Sequence, residues 1–115
     1  MGTVLIVDDE PDTLYVLELI LTDCGYRVVK ASNGQHGLEQ ALSVLPDLVL
    51  CDWMMPIMDG VGLFWALKRA PKLQAIPVVF MSAAQPPGEV LGAGFLRKPF
   101  DMPDVFVMLE QYVRR

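Results

Sequence analysis

The residues of this chain that could do chemistry are carboxylates at the ends of apolar runs. The run TVLIV is followed directly by Asp8, Asp9 and Glu10, and the run DLVLC is followed by Asp52. A carboxylate at the tip of a buried strand is costly unless something binds it, because the charge loses hydration there. The placement of these acidic side chains therefore indicates a binding site.

A divalent cation is the ligand that such a cluster favours. Carboxylates a few ångströms apart raise one another's pKa, and at near-neutral pH they attract a hard cation instead. Mg²⁺ takes oxygen ligands, keeps several waters and commonly uses one or two carboxylates together with a phosphate. Two further residues suit a phosphoryl group, since Ser82 can donate a hydrogen bond and Lys98 brings positive charge.

The elements that must bring these residues together alternate between strand and helix patterns. Such alternation is typical of an α/β protein with a doubly wound parallel sheet, right-handed crossovers and helices on both faces. Ligands bind such sheets at the carboxyl ends of the strands, where the residues above are predicted to converge. Apolar runs predict five strands, over residues 3–7, 27–30, 47–51, 76–82 and 94–97.

One connection between predicted strands is unusually short. Only 11 residues separate Ser82 from Gly94, close to the minimum for joining parallel strands, and four of them, QPPG, oppose a helix. We therefore expect a shortened fourth helix of about two turns or less. The other helices are predicted after the first acidic cluster, after a cap at Ser32 or Asn33, over residues 60–69, and after a cap at Asp101.

Composition argues against several classes of protein. With 9 basic and 14 acidic residues, the chain lacks the clustered positive charge of a nucleic-acid surface. No apolar stretch approaches the roughly 20 residues that span a bilayer, and the first residues do not resemble a signal peptide. Cytoplasmic residence is the default expectation, with Cys24 and Cys51 as free structural thiols. The length suits one domain over residues 1–115. Because no output domain follows Arg115 in this sequence, we expect either a stand-alone regulator or a piece of a longer protein.

Four segments together resemble a known family. IVDDE, DLVLCDWMMPIMDG, VVFMSA and GFLRKPF occur in the order, and on the elements, of a response-regulator receiver domain of the two-component type. The resemblance extends from Thr3 almost to the C-terminus. It implies a flavodoxin-like sheet with the strand order 2-1-3-4-5. It also implies a signalling domain that accepts a phosphoryl group, and that at most catalyses its own phosphorylation and dephosphorylation.

The resemblance assigns roles to the acidic residues. Asp52 matches the phosphoacceptor, which takes its phosphoryl group from a phosphohistidine of a sensor histidine kinase or phosphotransfer protein. Asp9 and Asp52 match direct side-chain ligands of Mg²⁺, while Asp8 acts through a bound water. The backbone carbonyl of Met54 completes the protein's share of the ligands.

The resemblance also assigns residues to the phosphoryl group and to a switch. Ser82 and Lys98 match side chains that contact the phosphoryl group, Ala83 matches a residue whose backbone amide helps, and Trp53 is assigned to the same phosphate site. Phe95 matches an aromatic switch residue, which rotates inward when the hydroxyl is drawn to the phosphate. The peptide bond between Lys98 and the following proline is usually cis in this family.

Three other interpretations share parts of these signals. A flavodoxin-like electron carrier needs phosphate-binding donors after the first strand, where this chain has DDEPD. A haloacid-dehalogenase-type phosphatase expects Asp-x-Asp there, where this chain offers Asp8-x-Glu10 and leaves no room for a cap domain. A receiver-like module that binds partners without phosphorylation remains the second hypothesis. An unidentified effector is expected in either case, and the shortened fourth helix predicts a monomer or weak dimer.

Overall fold

A five-stranded parallel sheet organises the chain. The computed structural model describes residues 2–55, 58–83 and 93–113. Its strands pair in the order β2-β1-β3-β4-β5, which confirms the predicted fold class and strand order. The elements are β1 Thr3–Val7, α1 Pro11–Asp23, β2 Arg27–Ala31, α2 Gly34–Val44, β3 Leu48–Asp52, α3 Gly60–Arg69, β4 Val78–Ser82, β5 Gly94–Arg97 and α4 Met102–Tyr112.

Helices cover both faces of this sheet. Because successive side chains of a strand point to opposite faces, Val4 and Ile6 pack in the cluster that holds α1 and α4. Leu5 and Val7 pack in the second cluster, with residues of α2 and α3. Burial on both faces explains why β1 is a continuous apolar run rather than an alternating one. Polar groups next to β1 can therefore reach solvent only at the ends of this strand.

Side-chain caps set the start of three helices. Asn33 accepts a hydrogen bond from the backbone of His36 at 2.8 Å and begins α2, which resolves the choice of cap left open above. Asp59 begins α3 in the same way, and the predicted cap Asp101 begins α4 within a capping box completed by Asp104. These contacts satisfy backbone donors that a helix start leaves unpaired.

The first helix starts differently. Glu10 occupies the N-cap position of α1, but its side chain makes no capping hydrogen bond. Pro11 begins the helix, where its missing N–H is not needed. The carboxylate of Glu10 is therefore left for another partner, and that partner lies in the cleft described below.

Three remaining predictions have different outcomes. The shortened fourth helix was predicted between Ser82 and Gly94, and residues 84–92 lie outside the described part of the chain. Both Cys24 and Cys51 are free thiols, as expected. Among the described residues, no helix is long and apolar enough to cross a membrane.

Candidate functional site

The carboxyl ends of β1 and β3 place three aspartates together. Val7 pairs with Cys51 in the parallel ladder, so Asp8 and Asp52, the next residues of the two segments, are neighbours. Carboxylate oxygens of Asp8, Asp9 and Asp52 lie within 4.8 Å of one another. Asp8 is fully buried and Asp52 is 8% exposed, whereas Asp9 faces solvent. The predicted convergence of the acidic residues is confirmed.

Backbone hydrogen bonds hold Asp8 in place. Its amide donates to the carbonyl of Ala31 at 3.1 Å, which continues the pairing of β1 with β2 by one residue. Its Oδ1 accepts from the backbone amide of Glu10 at 2.9 Å. One oxygen of this buried carboxylate is thus used to shape the turn into α1, and the other oxygen, Oδ2, remains for the cleft.

Close packing holds Asp52 at the end of β3. The sequence suggested that Asp52 follows the strand, but it is the last residue of β3 and pairs with Met81, because the ladder to β4 extends this far. The next amide, that of Trp53, donates to the carbonyl of Met81 at 2.9 Å. Gly60, the first residue of α3, lies so close that a Cβ there would be 2.5 Å from the Asp52 carbonyl oxygen. Only glycine allows the helix to approach the strand end this closely.

Lys98 enters the cleft from the edge strand. Its amide donates to the carbonyl of Ser82 at 2.9 Å, and the peptide bond to Pro99 is cis, as the resemblance implied. The Nζ atom lies 2.8 Å from Asp8 Oδ2, 3.0 Å from Glu10 Oε1 and 3.7 Å from Asp52 Oδ1. One ammonium group therefore interacts with three carboxylates.

The electrostatics of the cleft favour taking up positive charge. Burial, followed by the nearby carboxylate of Asp8, raises the pKa of Asp52 from its ordinary 3.8 to about 6, although Lys98 opposes the shift. Burial also raises the pKa of Asp8, partly offset by its hydrogen bond from Lys98. Burial lowers the pKa of Lys98, but its hydrogen bonds to Asp8 and Glu10 outweigh that cost and leave it above its usual value. A single lysine does not fully neutralise the buried acids.

The donor set fits a hard divalent cation. Three carboxylates converge within the distance given above, two of them buried and one exposed towards solvent. Oxygen donors with open access to water suit Mg²⁺, which keeps several waters and uses few carboxylates. The aspartate cluster could therefore bind Mg²⁺.

The other predicted site residues lie around the cleft. Ser82 ends β4, and Ala83 lines a groove of about 400 Å³ with Lys98. The Trp53 ring packs edge-on against Phe80 at 4.9 Å; the neighbouring Met54 is exposed and its backbone hydrogen bonds to the Asp52 carboxylate. Phe95, the predicted switch, lies opposite Phe80 in β5 and is partly buried.

One contact in the cleft was missed from the sequence. Glu10 was noted with the acidic cluster, but no role was assigned to it, and it is now found 3.0 Å from Lys98 Nζ. The available signal was its position directly before Pro11, because a proline is common at the first position of a helix and marks Glu10 as the residue at the helix start. Its pairing across 88 positions depends on the fold and could not be read from spacing.

The fold and the cleft define a doubly wound α/β protein with a carboxylate-rich cation site facing a lysine, an arrangement suited to phosphoryl chemistry. Residues 4–110 match the Response regulator receiver domain family. The chain belongs to this family and is a receiver domain of two-component signalling, which confirms the interpretation drawn from the four motifs. Signalling by phosphorylation is the function of this family.

Some relatives with similar sequences are longer than this chain, and others are of about the same length. The chain is 35% identical to the transcriptional regulatory protein KdpE of Mycobacterium tuberculosis over 100% of its own length and 52% of that protein. It is 36% identical to protein PilH of Pseudomonas aeruginosa over 88% of each chain. The chain spans about half the length of several curated relatives it matches.

A solved structure shares the fold closely. The chemotaxis protein CheY4 of Vibrio cholerae superposes with a TM-score of 0.90 at 26% identity, covering 97% of this chain and 98% of its own. A receiver domain of a histidine kinase from Syntrophus aciditrophicus gives a TM-score of 0.87 at 29% identity, over 98% of this chain and 90% of its own. Similar domains thus occur both in response regulators and in kinases.

Proposed function

We propose that this chain is a single receiver domain, over residues 1–115, in which Asp52 accepts a phosphoryl group. The observation that carries the proposal is the combination of two features around Asp52: two further aspartates with carboxylate oxygens within 4.8 Å, and Lys98 Nζ 3.7 Å from the Asp52 carboxylate. A nucleophile for phosphoryl transfer needs such flanking charges, because negative charge accumulates on the transferred group.

The nucleophile is the Asp52 carboxylate. With a pKa of about 6, it is mostly ionised at neutral pH and still basic for an aspartate. One oxygen attacks phosphorus, the bond from phosphorus to the donor histidine nitrogen breaks, and that nitrogen keeps the electron pair. Asp52 lies at the end of a central strand that packs closely against Gly60 and pairs with β4, and this fixed position would limit the reorientation needed for attack.

The remaining residues compensate the charge that arrives. Mg²⁺ held by Asp9 and Asp52, with Asp8 and the carbonyl of Met54 in support, would neutralise the phosphoryl oxygens. Lys98 would turn from Asp8 to the new acyl phosphate, since its side chain already lies within reach of Asp52. The Ser82 hydroxyl and the amide of Ala83 would complete the phosphate site, with Trp53 beside it.

The signal would then leave the cleft through Ser82 and Phe95. Drawing the hydroxyl towards the phosphoryl group would vacate space near β5. Phe95, which is partly buried against the α2–α3 side of the core, would then rotate into that space. We expect this chain to lie in the cytoplasm. Its expected partners are a sensor histidine kinase or phosphotransfer protein as donor, and an effector that recognises the changed surface. The domain would act on no substrate beyond its own phosphoryl group.

Intact-mass measurement tests the proposal. The protein is incubated with acetyl phosphate and Mg²⁺, and uptake of one phosphoryl group should add about 80 Da, the mass of PO₃ replacing a proton. The matched controls are the same mixture with excess chelator, and Asp52→Asn, which keeps the shape of the side chain. Absence of the mass shift with donor and Mg²⁺ in excess would favour an interaction module that works without phosphorylation.

A further inference from the structure

Glu10 has an exposed carboxylate that forms an ion pair with a residue far away in the sequence. Its side chain is 63% exposed, yet Oε1 lies 3.0 Å from Lys98 Nζ, and Thr13 Oγ1 donates to the same oxygen at 3.4 Å. The side chain of an N-cap residue ordinarily accepts a hydrogen bond from the backbone of its own helix, and the side chain of Glu10 accepts no such capping bond. The hydroxyl of Thr13, one turn into α1, helps to orient the carboxylate towards the lysine.

Lys98 divides its interactions unequally among its partners. Among the described residues, the carboxylates within 4.0 Å of Nζ belong to Asp8, Glu10 and Asp52. The two short contacts, at 2.8 and 3.0 Å, lie on the β1–α1 side, and the contact with Asp52 is the longest at 3.7 Å. The ammonium is thus drawn away from the residue proposed to carry the phosphoryl group.

From this geometry we infer that Glu10 is a positioning residue that holds Lys98 in the unphosphorylated protein and competes with the phosphoryl group for it. The inference rests on the proposed function, because it assumes that Lys98 pairs with a phosphoryl group on Asp52. An ammonium group cannot keep its short contact with Glu10 and also make its best contact with a new anion beyond Asp52. The strength of the Glu10 contact therefore sets part of the balance between the two states.

The first test measures how strongly Glu10 restrains the Lys98 ammonium group, without metal or phosphate. An amine-acylating reagent is applied briefly, and labelling of each lysine is followed by peptide mass spectrometry, with the exposed Lys72 as internal reference. Glu10→Gln should raise the labelling rate of Lys98 about two- to fivefold relative to Lys72, the range expected for a partly exposed ion pair. An unchanged rate in Glu10→Gln overturns the inference.

The second test measures the competition. Beryllofluoride with Mg²⁺ is used as the phosphoryl mimic, and its affinity is measured by calorimetry for the intact chain. Glu10→Gln should bind the mimic about two- to fivefold more tightly, because the mimic no longer competes for Lys98. Asp12→Asn is the matched control, since it removes an equal charge from the exposed first turn of α1 and makes no ion pair with Lys98 in the described structure.

A third variant separates contact from charge. Glu10→Asp keeps the negative charge but shortens the side chain by one C–C bond, about 1.5 Å. It should shift both measurements in the same direction as Glu10→Gln if the contact matters. Equal effects of Glu10→Gln and Asp12→Asn, or wild-type behaviour of Glu10→Asp, overturn the inference. Either result would show that the overall negative charge near the cleft acts on Lys98, rather than the direct contact. Failure of the wild type to bind the mimic overturns the proposed function instead. The lysine-labelling experiment still tests whether Glu10 restrains Lys98, because it uses neither metal nor mimic.

Discussion

The two sides of the cleft are held in place by different means. The acidic side stands on β1 and β3 inside the sheet, where backbone hydrogen bonds and packing fix Asp8 and Asp52. The basic side is Lys98, which directly follows the edge strand β5 and is held in the cleft by ion pairs of its side chain. Packing thus decides where negative charge collects, whereas ion pairs decide where the positive charge lies.

The strongest test of this contrast is removal of the nucleophile. Asp52→Asn should abolish phosphoryl uptake completely, because the amide cannot attack phosphorus, and the intact mass should stay unchanged with acetyl phosphate and Mg²⁺. The fold should persist and gain about 1 kcal/mol at neutral pH without metal, since one of three crowded carboxylates is gone. A variant that still gains the phosphoryl mass would place the acceptor elsewhere.

The exposed member of the acidic side should control metal binding. Asp9→Ala should weaken Mg²⁺ binding about 100-fold, the upper end of the range for groups around a bound metal. The fluorescence of Trp53, next to Asp52, is the readout in a Mg²⁺ titration. Asp12→Ala, another exposed carboxylate near the cleft, is the control and should bind as the wild type does. An unchanged affinity of Asp9→Ala contradicts the ligand assignment.

The packing around Asp52 should be sensitive to a single methyl group. Gly60→Ala should lower the free energy of unfolding by about 2 kcal/mol, because the new Cβ would lie 2.5 Å from a backbone oxygen and 3.1 Å from the Trp53 Cα. Urea unfolding measures the change. Gly62→Ala is the matched control in the same helix, where the nearest atom is the flexible Met58 Cγ at 3.1 Å, and it should be neutral or stabilising.

Removing the charge of Lys98 should lower the stability of the protein, whereas removing the charge of Asp52 should raise it. Lys98→Met should lower the free energy of unfolding without metal by about 1–2 kcal/mol, because the buried Asp8 loses its ion pair while the open cleft still admits water. Lys72→Met, at an exposed position, should change it by less than about 0.5 kcal/mol. Equal stability of Lys98→Met and the wild type would show that the ion pairs do not support the cleft.

The smallest expected effect is a dependence on pH. The native pKa of Asp52, about 6, exceeds its ordinary value of 3.8, so between these values the native state binds more protons than the unfolded state. The contribution of this group to stability is therefore full below about pH 4 and is lost as the pH rises through about 6. Without metal, the difference in unfolding free energy between wild type and Asp52→Asn should change by about 1 kcal/mol from pH 4 to 7, allowing for solvent screening. A constant difference would contradict the raised pKa.

Much of the fold could be predicted because its signals are local. Continuous β-branched runs indicated strands buried on both faces, and caps such as Asp101 marked helix starts within a residue or two. Where strands and helices alternate, handedness and sheet packing leave few arrangements. The bounds of strands were less secure, as the inclusion of Asp52 in β3 shows, because the last pair of a ladder depends on the partner strand.

The sequence by itself determined which residue types stand at the carboxyl ends of the strands, and hence that Asp8, Asp9, Asp52 and Lys98 would meet at one edge. The tertiary structure alone decided how they share charge. The partner of Glu10 lies 88 positions away, and the ordering of the contacts of Lys98 depends on distances that differ by less than 1 Å. Interactions of charges in a partly buried cleft vary steeply with such distances and with access to water. Neither the distances nor the access to water can be derived from the spacing of residues in the sequence.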